Sequence, residues 1–201
     1  MVVAMMKFRW LLPLLLLAGP TGCKVANLPT TIGRDYERVD ITMGDDIYTG
    51  RILSNREDVE VTKNGILLKP GARFAIKTLE VTEFVGQFDV NILEGQGLTA
   101  YIRTVPYRFD STHGIAFRYA VDGCQLRYPD GRTIPLEYNA ETETGTISLY
   151  NEAARLAVSV NCQQIYEDDT DLPGTEYVIF EPLPGSTVEL RHVAYFNTDT
   201  E

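Results

Sequence analysis

Turn-forming residues recur along this chain at short intervals, and that spacing limits what it can fold into. The clusters are Gly44-Asp45-Asp46, Lys63-Asn64-Gly65, Pro70-Gly71, Glu94-Gly95-Gln96-Gly97, Asp122-Gly123, Pro129-Asp130-Gly131, Pro173-Gly174 and Pro184-Gly185-Ser186. Gly supplies positive φ and Pro presets a turn, so each cluster ends an extended segment. Between them lie runs rich in Val, Ile, Thr, Tyr and Phe, the residues that suit a pleated, half-buried surface. After the first 22 residues no apolar stripe of helical period has useful length, and the one candidate, 151–157, runs straight into an alternating segment. Short strands with regular turns predict an all-β domain, a sandwich or a barrel. No repeat period is visible, which argues against a propeller or solenoid.

Side chains alternate across a strand, so parity assigns faces. In 87–92, Phe88, Val90 and Ile92 share the inner side, and Gln87, Asp89 and Asn91 the outer. In 98–105, Leu98, Ala100 and Ile102 face in, with Thr99, Tyr101 and Arg103 outward. In 115–121, Ile115, Phe117, Tyr119 and Val121 face in, with Arg118 outward. In 124–128, Cys124, Leu126 and Tyr128 face in, with Gln125 and Arg127 outward. In 156–162, Leu156, Val158, Val160 and Cys162 face in. Near the end, Val188 and Leu190 face in. Strict alternation then carries His192 into the core, whereas a bulge near Arg191 turns Val193 and Tyr195 inward instead.

The N-terminus has a different character. Lys7 and Arg9 precede an apolar run over 10–18, and small or turn-forming residues lead to Cys23. This is the layout of a secretory signal, and its apolar run is shorter than the roughly 20 residues a membrane span needs. The segment Leu17-Ala18-Gly19-Pro20-Thr21-Gly22-Cys23 resembles a bacterial lipoprotein signal. Gly22 fits that pattern, while Pro20 stands where the pattern prefers Leu. The resemblance implies cleavage before Cys23, diacylation of its sulfur and two-chain membrane anchoring. Lys24 follows the Cys, with no Asp to hold the protein at an inner membrane, so the expected location is the outer membrane. The expected division is a signal peptide over 1–22, a linker from the lipid anchor over 23–34 and a β-sandwich domain over 35–201.

Without the signal the chain carries sixteen Lys and Arg against twenty-eight Asp and Glu, a net charge of −12. Nucleic-acid binding needs a basic footprint and is not expected, nor is a polybasic membrane patch. With Cys23 lipidated, Cys124 and Cys162 remain as a pair on core parity. In an oxidising compartment such a pair predicts a disulfide, the alternative being two separate buried thiols.

Gly114-Ile115-Ala116-Phe117-Arg118, Gly145-Thr146-Ile147-Ser148-Leu149, Leu156-Ala157-Val158-Ser159-Val160-Asn161 and Gly185-Ser186-Thr187-Val188-Glu189-Leu190-Arg191-His192-Val193 follow one another in an order similar to concanavalin-like and laminin-G-like jelly rolls. Over roughly 57–196 the nearest pattern is that of the 3-keto-disaccharide hydrolase family. Cys162 departs from it where that family has Gly, and His192 where it has Asn. The resemblance implies a two-sheet antiparallel β-sandwich, and fold alone does not carry activity.

Catalytic constellations are sparse. There is no Glu-x-Asp-x-x-Glu strand of the kind that sets two carboxylates for glycoside displacement, and no Gly-x-Ser-x-Gly elbow. His113 lies in a loop and His192 is remote from it in sequence, so neither has metal-ligand spacing. The acidic run Glu167-Asp168-Asp169-Thr170-Asp171 reads as a loop; Asp168, Asp169 and Asp171 are candidate Ca²⁺ ligands, set against a simply solvated acidic surface. What remains is the outward face: Asp89, Asn91, Tyr101, Arg103, Arg118, Gln125 and Arg127. An aromatic ring with planar amides and guanidinium forks suits a sugar, and cross-strand ion pairing such as Asp89–Arg103 is the structural alternative. The expected partner is therefore a glycan, bound by an envelope-anchored domain. Two other readings stay open: a glycoside-processing enzyme of the keto-disaccharide type, and an accessory subunit of an envelope protein complex.

Overall fold

A computed structural model describes residues 37–43, 46–62, 65–77, 84–103, 114–138, 144–152, 155–170 and 177–197. The expected signal, Cys23, the linker, His113 and Asp171 lie outside the described residues.

The described strands, in chain order, are β1 (Glu37–Met43), β2 (Asp46–Ile52), β3 (Val59–Thr62), β4 (Gly65–Leu68), β5 (Phe74–Lys77), β6 (Phe84–Glu94), β7 (Gly97–Ile102), β8 (Ile115–Ala120), β9 (Cys124–Arg127), β10 (Thr133–Leu136), β11 (Thr144–Glu152), β12 (Arg155–Val160), β13 (Gln163–Asp169), β14 (Tyr177–Pro182) and β15 (Thr187–Asn197). One 3-10 turn, Arg56–Asp58, leads into β3. No helix among the described residues is long and apolar enough to cross a membrane.

The strands form two antiparallel sheets. The first has eight strands in the order β1-β2-β5-β14-β7-β8-β9-β10, and the second has seven in the order β13-β12-β11-β6-β15-β4-β3. Of the sandwich and the barrel that the turn spacing allows, the architecture is the two-sheet sandwich that the family resemblance implies. Its strongest alternation is on β6, where Phe84, Phe88, Val90 and Ile92 are buried while Val85, Gln87, Asp89 and Asn91 are half-buried on the outer side. From the facing sheet Phe74, Ile76, Leu98, Ile102, Ile115, Phe117, Leu126, Val178 and Phe180 enter the same core. Each large apolar side chain removed from water contributes about 1.5–3 kcal/mol before chain entropy is set against it.

Aromatic rings join the layers. Phe88 of β6 meets Phe180 of β14 edge-to-face, with ring centroids 4.9 Å apart. Tyr195 of β15 meets Phe88 at 5.5 Å and Tyr48 of β2 at 5.8 Å. Edge-to-face pairs at these separations add about 0.5–1.5 kcal/mol beyond the area they bury. Such large rings need recesses in the opposite sheet. Gly145 of β11 provides one: a Cβ there would lie 2.2 Å from the Tyr119 hydroxyl oxygen of β8. Tyr119 is fully buried, and burial pushes its hydroxyl pKa up to about 12.

Two expectations change at strand ends, and one alternative left open inside β15 is decided. β12 stops at Val160, which pairs with Gln163, so Asn161 and Cys162 are the two residues of a tight hairpin turn. Both adopt positive φ, 49° and 65°, as such a turn requires. Cys162 is therefore exposed, Cys124 is buried, and both are free thiols: the predicted disulfide is absent. Parity failed because the strand ended two residues before the cysteine. Val121 likewise falls in the β8–β9 turn and is 43% exposed rather than inward. On β15 the bulge is the correct alternative. The register with β6 shifts between Leu190 and His192, so His192 is exposed opposite Asp89, while Val193 and Tyr195 enter the core.

Two outcomes follow for the folded chain. Of the thiols at 124 and 162, only Cys162 reacts with maleimide under native conditions, as mapped by peptide mass spectrometry. Cys124 reacts only after denaturation, since burial both shields it and pushes its pKa up to about 11. Gly145→Ala forces Tyr119 out of its recess and lowers stability by about 1–3 kcal/mol, measured by urea unfolding.

Candidate functional site

The outer face of the eight-stranded sheet carries two ladders of directly opposed residues. Antiparallel register places Glu181 of β14 opposite Thr99 of β7, Thr99 opposite Arg118 of β8, and Arg118 opposite Gln125 of β9. Two residues further along the strands, Ile179 stands opposite Tyr101, Tyr101 opposite Ala116, and Ala116 opposite Arg127. Opposed residues share a face and neighbouring strands are about 4.8 Å apart, so each ladder is a continuous row. Thr99 and Ala116 are short side chains set between longer ones, and the floor dips there. The resulting cavity has a volume of about 250 Å³ and is lined by Thr99, Tyr101, Ala116, Arg118, Gln125, Arg127 and Glu181.

Its wall is the stretch Pro182, Leu183 and Pro184, which turns the chain from β14 into β15. Hydrogen bonds fix this wall in position. The Leu183 amide donates to the Gly97 carbonyl at 2.8 Å, and the Ser186 amide to the Leu183 carbonyl at 2.8 Å. The buried Ser186 hydroxyl oxygen accepts from the Gln96 amide at 2.9 Å and the Gly97 amide at 3.3 Å. One side chain thus ties the β14–β15 turn to the β6–β7 turn.

The charges at the cavity are partly spoken for. Arg118 donates to Asp122 Oδ1 at 2.6 Å and to the Gly123 carbonyl at 3.0 Å, so its guanidinium is held by the turn that follows its own strand. Glu181 pairs with Arg73 at 3.5 Å. Among the described residues, the Thr99 hydroxyl, the Gln125 amide and the Arg127 guanidinium have no hydrogen-bond or ion-pair partner. Tyr101 is only 7% exposed, packed with Ile179, Ala116, Ala75 and Tyr177 in a small apolar cluster. It therefore forms floor and offers no open ring face for stacking, contrary to the role expected from sequence.

The seven residues predicted as one outward face do not lie together. Tyr101, Arg118, Gln125 and Arg127 line the cavity. Asp89 and Asn91 belong to β6, in the other sheet, and point away from the opposite side of the sandwich. There Asp89 accepts from the Thr146 hydroxyl at 2.7 Å and Asn91 from the Thr144 hydroxyl at 3.0 Å. Arg103 is at neither face. With φ 54° it leaves β7, is 2% exposed, and donates to the Arg155 carbonyl of β12 at 3.3 Å, across the edge of the sandwich. Burial pushes its guanidinium pKa down. An Asp89–Arg103 cross-strand pair is excluded, since the two strands belong to different sheets.

The first three residues of the acidic run are in a strand and not in the expected loop. Glu167, Asp168 and Asp169 end β13, an edge of the seven-stranded sheet. Glu167 pairs with Arg155 at 2.8 Å, which holds its carboxyl below the usual carboxylate range, with Gln164 as a second donor. Asp168 accepts from the Tyr166 hydroxyl at 3.0 Å. Since Tyr166 gives its proton to Asp168, Tyr128 is the donor across the 2.8 Å contact between the two tyrosine oxygens. Strand alternation sends Asp168 to one side and Glu167 and Asp169 to the other. Among the described residues no group of three or more His, Cys, Asp or Glu side chains is arranged to hold a metal ion.

Sequence reasoning missed Glu181 and the wall. Pro184-Gly185-Ser186 was legible as a turn, but nothing in its composition says that it borders a cavity. Thr99 was assigned outward by parity, and its register between Glu181 and Arg118 is what makes it part of the floor.

No protein-family model matches the chain, and no curated protein matches it in sequence. Solved structures do match its fold. The carbohydrate-binding module CBM66 from Bacillus subtilis aligns over 73% of this chain and 94% of its own, at 11% identity and a TM-score of 0.56. A Bacillus subtilis protein of unknown function with a galectin-like fold aligns over 74% of this chain and 89% of its own, at 14% identity and a TM-score of 0.56. The exoplasmic/lumenal domain of VIP36 in its Ca²⁺- and mannose-bound form covers 76% of this chain and 84% of its own, at 8% identity and a TM-score of 0.54. The chain therefore has the galectin- and concanavalin-like jelly-roll sandwich fold.

Proposed function

We propose that this protein binds a glycan in the cavity on the outer face of its eight-stranded sheet, as an exported lipoprotein held at the bacterial envelope. One observation carries the reading: Thr99, Gln125 and Arg127 line a single recess, and none of their side chains has a polar partner among the described residues. A hydroxyl, a planar amide and a guanidinium offer both donors and acceptors, the pattern that sugar hydroxyls satisfy. The small Ala116 side chain leaves room for a sugar ring above the floor, and Pro182, Leu183 and Pro184 give the recess a fixed edge. That a carbohydrate-binding module and a mannose-bound domain share the fold adds support.

A glycoside-processing role of the keto-disaccharide type has less behind it. Displacement by a carboxylate pair needs two such groups flanking the bond. Glu181 is the one carboxylate among the described lining residues, and Arg73 occupies it.

The site is tested on a glycan array with the full chain. Gln125→Ala weakens binding roughly three- to tenfold, the worth of one or two hydrogen bonds. Asp89→Asn, on the opposite face, leaves binding unchanged. The reading fails if no glycan binds, or if Asp89→Asn abolishes binding while Gln125→Ala does nothing.

The order Lys7, Arg9, apolar run, Gly22, Cys23 supports anchoring through Cys23. Mass spectrometry of the membrane-extracted protein is expected to find a diacylated N-terminal Cys23, and Cys23→Ser releases the chain from membranes. An unacylated terminus rules the anchor out.

A further inference from the structure

Resting on the glycan reading above, we infer that the ligand is an acidic sugar, with its carboxylate or sulfate group held by Arg127. The chain as a whole is strongly acidic, with a net charge of −10, yet the cavity does not share that sign. Glu181 is neutralised by Arg73, and Arg118 by Asp122. What is left unbalanced among the described lining residues is one positive charge, on Arg127.

Arg127 is exposed at the end of β9, opposite Ala116 on one side and Thr133 of β10 on the other. Neither neighbour carries a charge, so no carboxylate across the ladder competes for the guanidinium. Gln125 lies two residues back on the same strand face and lines the same recess. A planar guanidinium accepts a carboxylate or sulfate through two parallel N–H donors, and an adjacent amide can take a third oxygen or a ring hydroxyl. The surrounding negative surface opposes an acidic polymer only over distance. At physiological ionic strength the screening length is about 8 Å, so that repulsion fades while contact with Arg127 persists. The arrangement thus selects for an acidic group delivered into the cavity and against acidic chains elsewhere on the protein.

Isothermal titration of the full chain with three probes tests this: oligogalacturonate, a sulfated galacto-oligosaccharide and the neutral galacto-oligosaccharide, each against wild type and Arg127→Gln. Because Arg127 is exposed, a thermal melt is expected to show the variant folded. At least one acidic probe binds wild type about tenfold or more tightly than the neutral probe, and Arg127→Gln removes that difference by weakening the acidic probe more than the neutral one. The carboxylate and sulfate arms report which acid group the site prefers. If the neutral probe binds as tightly as both acidic ones, or if Arg127→Gln keeps the acidic preference, the inference falls and the glycan reading stands. If other neutral glycans bind on the array and none of these probes does, the inference alone falls. If nothing binds in either experiment, both fall.

Discussion

The edge-to-face contact between Phe88 and Phe180 is the interaction on which the rest of the sandwich depends. It joins β6, near the middle of one sheet, to β14, near the middle of the other, with both rings fully buried. Tyr195 extends the cluster to β15 and, through Tyr48, to β2. Four strands from three well-separated stretches of the chain are therefore held by one group of rings. Fixing Phe180 inward also fixes its chain neighbours. Ile179 and Glu181 must then face out, which is how β14 delivers one residue to each of the two ladders that floor the cavity.

The cavity is accordingly a by-product of core packing on one side and of turn anchoring on the other. Its floor stands on strands and cannot shift without moving the core. Its wall is a Pro-rich turn pinned by a buried serine hydroxyl to the neighbouring turn. Rigid elements of this kind lose little entropy when a ligand arrives, which matters where each polar contact contributes only about 0.5–1.5 kcal/mol. A recess with unpartnered polar groups and little freedom to collapse is suited to a ligand that brings many hydroxyls of its own.

Alternation made much of this legible from sequence. It assigned the inner and outer residues of β6 and β9, and most of β7, β8 and β12, because each has one buried face. Parity says nothing about which sheet a strand joins. Asp89 and Asn91 were grouped with Tyr101 and Arg118 for that reason, although the core separates them. Strand ends were the other weakness. Cys162, Val121 and Arg103 each lie just past the point where pairing stops, and turn geometry then decides their direction. Tyr101 was correctly placed on the outer face, but the packing of Ile179 and Ala116 beside it, which closes off its ring, is a tertiary fact. Glu181 and the wall were invisible because they depend on a register between strands about eighty residues apart, and no local pattern encodes it.

The position of the acidic run has a consequence beyond metal binding. An open sheet ends in a strand whose outer backbone groups are unpaired, and a second copy can add itself there. β13 is such a strand, and it ends in Glu167, Asp168 and Asp169. Two copies meeting along this border would crowd the carboxylates of both strands onto one seam. At the far side of the other sheet β10 carries Pro135, which has no amide hydrogen to give. Wherever encounters between sheet edges are frequent, such residues oppose the pairing of neighbouring sheets.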